Sequence, residues 1–165
     1  FQISNVLKGI RTVSTVEPQI DGKEVTEFGN VYGVDENGVS EDDMYVGSES
    51  KYISTVKATK NGIINKQYSS SETAVNYVMT MCDNGTTVAA YTRKYYVRAY
   101  AKLSDGSYLY SKVYSYCIYD VAKKLYDNAL MSTYAGHRYL YEDILTVVDS
   151  NYKEVKYNWG GTIAR

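Results

Sequence analysis

The sequence is short of the residues from which metal centres, disulfide frameworks and many catalytic sites are built. Its 165 residues include only two cysteines, Cys82 and Cys117, and one histidine, His137. Two cysteines without C-x-x-C spacing exclude a disulfide framework, and together with one histidine they are too few for a zinc site. We therefore expect no metal and no cofactor.

Proline, long apolar runs and an excess of charge are also scarce. One proline argues against a disordered chain, and no apolar run reaches the ~20 residues of a membrane-spanning helix. The net charge of −1, from 18 basic and 19 acidic residues, argues against nucleic acid or an anionic membrane as a partner. The start, FQISNVLKGI, has no signal-peptide pattern and no initiator Met, so we expect one module of a larger protein.

Tyrosine, by contrast, is abundant, with 20 copies against 2 Phe and 1 Trp. The densest stretch runs from Tyr95 to Ile118, where two strand-like runs flank an Asp105-Gly106 turn. Asp-Gly between alternating β-formers predicts a hairpin, because the tight turn needs positive φ. Alternation places one set of tyrosines on a single face of this hairpin, here called the tyrosine row: Tyr96, Tyr100, Tyr108, Tyr110, Tyr114 and Tyr116.

Further strands are predicted before the hairpin, at 9–16, 25–33 and 75–82. Asp21-Gly22 is a predicted turn, and Gly29 marks a bulge or a close approach of another backbone. We expect Glu27 and Arg98 to lie in neighbouring strands and to form a cross-strand ion pair.

The periodicity changes after Tyr116. Apolar residues recur at helical spacing at 118, 121, 122, 125, 126, 129 and 130, which predicts an amphipathic helix. Ser132 or Thr133 is the expected cap of a second helix, whose apolar stripe includes Leu140, Ile144 and Val148. The short connection predicts an antiparallel helical hairpin. We expect residues 119–165, this hairpin and its tail, to pack on the strand-rich residues 1–118.

Two stretches of the strand region resemble fibronectin type III-like modules of bacterial surface proteins. One is YYVRAYA (95–101), followed by Asp105-Gly106 and Tyr110-Ser111, and the other is VTEFGNVY (25–32). The resemblance covers roughly residues 9–118 and implies a seven-stranded immunoglobulin-like Greek-key sandwich with Tyr95 near the tyrosine-corner position. A module with such a helical tail looks like a segment of large secreted proteins of anaerobic Gram-positive bacteria. The resemblance thus implies an extracellular or cell-surface location.

The expected fold class is therefore mainly β: a fibronectin type III-like antiparallel β-sandwich with a C-terminal α-helical hairpin. The remaining chemistry is sparse. The acidic loop 35–43 suggests calcium, but its spacing does not fit an EF-hand, and a solvated loop is favoured. His137 lies on a predicted helix and is expected to be structural. A bridge between Cys82 and Cys117 is open, although two free cysteines are favoured.

The tyrosine row is the sharpest feature, and it has three interpretations. An exposed row would stack on sugar rings, as in a carbohydrate-binding module, or would contact a protein. The favoured alternative is that the helical hairpin covers it. We expect a non-enzymatic module of an extracellular bacterial protein, acting in spacing, display or adhesion. Its partners would be neighbouring domains of a larger chain, a protein or a polysaccharide, and carbohydrate binding by the row is the alternative function.

Overall fold

The computed structural model describes residues 2–4, 9–34, 38–58, 73–82, 85–130 and 133–156. Over these residues the chain is mixed α/β and strand-rich. It has two antiparallel sheets, one of them curled into a half-barrel, and a C-terminal helix of 15 residues. The expectation of antiparallel sheets followed by helix is confirmed at this level. The immunoglobulin-like sandwich stays a prediction.

The strands of the described residues fall into two sheets. One sheet has the order β1-β2-β6; the other has the order β3-β4-β7-β8, with β5 paired to β4 and β9 paired to β7. Their bounds are β1 Gln2–Ser4, β2 Gly9–Val16, β3 Gln19–Ile20, β4 Lys23–Gly33, β5 Ile53–Lys57, β6 Val75–Cys82, β7 Tyr95–Leu103, β8 Tyr108–Tyr110 and β9 Tyr114–Tyr116.

The helices are short, apart from the one nearest the C-terminus. A 3-10 turn covers Glu41–Asp43. Helix α1 runs over Val88–Thr92 and α2 over Ile118–Asp127. The 15-residue helix consists of α3, Tyr134–Arg138, a π-helical segment, Tyr139–Leu145, and α4, Thr146–Val148.

The chain divides into two compact units. The helical unit comprises Phe1–Ile10, Met81–Arg93 and Tyr116–Arg165, and the sheet unit comprises Arg11–Thr80 and Lys94–Ser115. Within the helical unit, α2 contacts β1, α1 and the π-helical segment, and α1 also contacts α4. The expectation that residues 119–165 pack on the strand-rich part of the chain stays a prediction.

Both predicted turns are present, and each uses the positive φ that its sequence suggested. Asp21 and Gly22 have φ of 51° and 77°, as a two-residue hairpin of the primed type requires. Gly106 has φ of 86°, and the Asp105 carboxylate accepts hydrogen bonds from the backbone N–H and hydroxyl of Ser107. The second turn sets the register in which Tyr100 lies opposite Tyr110.

The core of the sheet unit joins side chains from both sheets. Val16 and Tyr77 from one sheet and Ala101 from the other form a buried cluster. The Tyr77 hydroxyl donates to the Gly29 carbonyl at 2.8 Å. A Cβ on Gly29 would lie 2.1 Å from the Val56 carbonyl oxygen, so the predicted close approach at this glycine is confirmed.

Helix α2 begins as predicted and ends three residues early. The Cys117 thiol caps its start, accepting from Asp120 N–H at 3.4 Å. At its end, Ala129 has φ of 52°, and the N–H groups of Ala129 and Leu130 donate back to the carbonyls of Tyr126 and Leu125. This is a Schellman cap, built without the usual glycine. The expected extension of the helix to residue 130 is therefore wrong, and Leu130 is exposed.

The predicted caps, cysteines and ion pair have mixed outcomes. Thr133 caps α3 through its side chain, as expected. Cys82 and Cys117 are both free, the first exposed and the second buried. The prediction of a cross-strand ion pair between Glu27 and Arg98 is wrong, because the register places Val31 opposite Arg98 and Lys102 opposite Glu27.

Candidate functional site: the tyrosine row

The hairpin of β7 and β8 brings the central members of the tyrosine row together, but not as an open platform. Tyr100 is only 2% exposed, whereas Tyr114 is 41% exposed. Tyr96, Tyr108, Tyr110 and Tyr116 are half-buried. The ring of Tyr108 lies 6.1 Å from the rings of both Tyr100 and Tyr110. The row thus ranges from the buried Tyr100 to the exposed Tyr114, with its other members half-buried.

The central tyrosines have a cover within the sheet unit, residues 38–53, here called the covering segment. Tyr100 shares a buried cluster with Met44 and Val31. Tyr108 and Tyr110 pack against that cluster, and the Tyr110 hydroxyl accepts from the Val46 backbone N–H at 3.0 Å. Much of the apolar surface of these tyrosines is therefore buried in contacts inside the protein.

The break between β8 and β9 explains why strand alternation mispredicted this face. Alternation along one continuous strand places Leu109 and Val113 on one face and the tyrosines on the other, so the row faces outward if Val113 faces the core. The structure interrupts that strand at residues 111–113, and Val113 packs against the same buried cluster as Tyr108 and Tyr110. Leu109 is 40% exposed, and it is the tyrosine side of β8 that is covered.

Cationic side chains lie over the rings of the row. The Arg98 guanidinium is 4.6 Å from the centre of the Tyr110 ring, Lys102 is 5.5 Å from Tyr108, and Lys112 is 4.9 Å from Tyr114. Arg98 also donates to the Met44 carbonyl at 3.2 Å, and so joins the covering segment to the sheet. These contacts occupy ring faces that a sugar would need for stacking.

At Tyr100 the row forms a hydrogen bond to a charged side chain, Glu27, which is in turn paired with Lys57. The Tyr100 hydroxyl donates to the Glu27 carboxylate at 2.9 Å, and Lys57 pairs with the same carboxylate at 2.8 Å. The hydrogen bonds from Lys57 and Tyr100 hold the pKa of Glu27 below its ordinary value. Burial, followed by the bond to Glu27, raises the pKa of Tyr100. The carboxylate therefore serves as a hydrogen-bond acceptor that fixes Tyr100 and Lys57.

His137 has a structural environment, as the sequence analysis favoured. It is 2% exposed, its ring stacks on Tyr126 at 4.6 Å, and its Nε2 lies 3.1 Å from the Val155 carbonyl oxygen. This contact fixes the chain after α4. The aromatic cluster around Tyr126 was not predicted, since its third tyrosine, Tyr152, lies in a tail without periodicity.

Other predicted chemistry gains no support from the geometry. In the described part of the chain, no group of three His, Cys, Asp or Glu side chains is arranged to hold a metal ion. Of the acidic loop, residues 35–37 lie outside the described residues, and Glu41–Asp43 form the 3-10 turn capped by Ser40. Among the described helices, none combines the length and the apolar character needed to span a membrane.

Comparison with protein-family models, with curated proteins and with solved structures gives no match for this chain.

Proposed function

We propose that this chain is a non-catalytic, fibronectin type III-like module of an extracellular bacterial protein, acting in spacing, display or adhesion. The observation that carries the proposal is the use of the tyrosine row inside the protein. Its central rings pack under the covering segment and beneath Arg98 and Lys102. A row used in this way stabilises a module, whereas a sugar-binding platform needs its ring faces open to solvent.

The strand order supports an immunoglobulin-like sandwich. If β1, β2, β4, β5, β6 and β7 are strands A, B, C, C′, E and F, and β8 with β9 is G, one sheet is A-B-E. The other sheet is then C′-C-F-G, a division of strands like that of immunoglobulin-type domains. The buried cluster of Val16, Tyr77 and Ala101, drawn from both sheets, is the kind of core that such a sandwich requires.

The extracellular location rests on the resemblance of the strand sequences to bacterial surface modules. Two free cysteines neither require nor exclude an oxidising compartment. The sparse set of nucleophiles and acid–base groups makes an enzyme the weaker proposal. A fold of this type is compatible with many functions, so the row carries the functional argument.

Retention of the protein on insoluble cellulose, chitin and peptidoglycan tests the proposal. Tyr110→Ala should lower the free energy of unfolding by about 1–3 kcal/mol, because it removes a half-buried ring and the acceptor for Val46 N–H. Tyr114→Ala is the matched variant at the exposed member of the row, where we expect a change within about 0.5 kcal/mol. The wild type and both variants should show no more retention than albumin.

Retention of the wild type that disappears in Tyr114→Ala, with stability unchanged, would overturn the structural role and favour the carbohydrate-binding alternative. Unchanged stability in Tyr110→Ala would also contradict the proposal, because the ring would then contribute nothing to the packing of the module.

A further inference from the structure

The helical unit contains a cavity of about 540 Å³ that is distinct from the tyrosine row. This volume lies within the roughly 300–1,000 Å³ of small-molecule sites. Ile3, Ile118 and Val147 contribute apolar surface to its lining, and Tyr91 and Tyr139 contribute aromatic rings. Part of the cavity is therefore apolar, and an alkyl chain that binds there would be removed from water.

The acidic wall of the cavity comes from the π-helical segment. Tyr139, Glu142 and Asp143 all line the cavity. At the end of the segment, Thr146 N–H donates to the Tyr141 carbonyl, five residues back, which is the π-helical pattern. Single π-helical turns inside α-helices are rare and occur frequently at functional sites. Here the wide turn coincides with the side chains that carry the charge of the cavity.

The two carboxylates of this wall differ in their partners. Glu142 forms an ion pair with Arg138, one helical turn earlier. The Asp143 side chain is exposed and forms neither a hydrogen bond nor an ion pair with any described residue. Burial, with smaller contributions from the neighbouring Tyr91 and Asp143, raises the pKa of Tyr139 to about 12. Asp143 thus lines the cavity four residues after Tyr139 without an ion-pair partner among the described residues.

We propose that this cavity binds a primary alkylammonium group, with the ammonium at the Asp143 carboxylate and the alkyl chain against Ile118 and Val147. The Tyr91 and Tyr139 rings supply cation–π contacts and the Tyr139 hydroxyl supplies an acceptor. An anion would meet two carboxylates, and a neutral apolar ligand would gain no electrostatic attraction from Asp143. A free diamine and the lysine side chain of a polypeptide share this chemistry.

Calorimetric titration of the full chain tests the site with two probes, cadaverine and N-acetyl-lysine methylamide. Pentanediol is the neutral control of matched length. We expect saturable binding of at least one cation, weaker binding in high salt, and no binding of the diol. Binding of cadaverine alone points to a free amine. Binding of the blocked lysine, with or without cadaverine, points to a polypeptide side chain.

Asp143→Asn should lower the association constant by at least about fivefold, the effect of losing one modest ion pair. Glu154→Gln makes the same change at an exposed carboxylate outside the cavity lining and should leave binding unchanged. Equal binding of pentanediol, binding insensitive to salt, or full affinity in a folded Asp143→Asn variant would overturn the proposal. So would the absence of heat for both cations at about 10 mM, well above a useful Kd.

Discussion

The two compact units each contain an aromatic cluster, and the clusters are built on different principles. In the sheet unit, Tyr100, Tyr108 and Tyr110 form a layer with Arg98 and Lys102 lying over two of the rings. In the helical unit, Tyr126 is fully buried among other rings: those of His137, Tyr141 and Tyr152 lie 4.6, 5.7 and 5.9 Å away. The first cluster has a cation over each of two half-buried rings, whereas the second is centred on a fully buried ring and has one cation, Lys123, over the ring of Tyr152 at 5.2 Å.

Because the two clusters differ in burial, we expect different interactions to contribute most to the stability of each. A fully buried aromatic side chain contributes mainly by removing apolar surface from water and by close packing. A half-buried ring contributes less by burial, so its polar end and the cation above it carry a larger share. Tyr126 should therefore dominate its cluster, and in the sheet cluster the buried Tyr100 should contribute more than the half-buried Tyr108 and Tyr110.

The largest expected effect is that of Tyr126→Ala. This change removes a ring that is 0% exposed and the hydroxyl that accepts from Val155 N–H at 3.1 Å. We expect the free energy of unfolding to fall by about 3–5 kcal/mol, as for other large-to-small aromatic changes in cores. Urea denaturation followed by circular dichroism measures the loss.

Tyr108→Ala is the matched change in the sheet cluster, because Tyr108 is half-buried between two tyrosines and under Lys102. It should cost about 1–2 kcal/mol, since less apolar area returns to water. A cost for Tyr108→Ala equal to that of Tyr126→Ala would show that the two clusters are stabilised in the same way.

The sequence predicted those parts of both clusters that follow a regular period. Turn chemistry at Asp105-Gly106 predicts the hairpin that pairs Tyr100 with Tyr110, and helical spacing predicts that Val121, Ala122 and Tyr126 share a buried face. These features depend on residues close in sequence, where local geometry determines which side chains lie together.

The sequence did not predict the contacts made by irregular segments. Met44 and Val46 of the covering segment follow neither a strand nor a helix period, and Tyr152 lies beyond the last helix. The π-helical turn follows no sequence period that distinguishes it from an α-helix, so the acidic wall of the cavity was not predicted. The break at residues 111–113 places Val113 on the same side as the tyrosines, whereas strand alternation alone predicts the opposite side.

An intermediate effect is expected for Arg98, the cation that joins the sheet cluster to the covering segment. It donates to the carbonyls of Ser111 at 2.8 Å and Met44 at 3.2 Å while its plane lies over Tyr110. Arg98→Ala should lower the free energy of unfolding by about 1–3 kcal/mol, since two charge-assisted bonds are lost. Thermal melting and urea denaturation measure the change.

Arg98→Lys sharpens this test, because it keeps the charge and removes the planar group that serves both carbonyls and the ring. It should recover only part of the loss. Full recovery would mean that charge alone stabilises the cluster, and the geometric account of Arg98 would then be wrong.

The smallest expected effect is a pH dependence centred on Glu27. Its folded-state pKa is lowered by hydrogen bonds from Lys57 and Tyr100, so the ionised carboxylate binds its partners better than the protonated form. The folded state therefore gains stability above the unfolded carboxyl range, about pH 4.3, and loses it as pH falls through the lowered folded pKa. Because Lys57 is largely exposed, the ion pair should contribute under about 1 kcal/mol. Glu27→Gln should make the urea midpoint less dependent on pH below about pH 4.3. Glu49→Gln, at an exposed carboxylate elsewhere in the sheet unit, should leave the pH dependence of the midpoint as in the wild type. The same pH dependence in all three proteins would show that the ionisation of Glu27 is not coupled to folding.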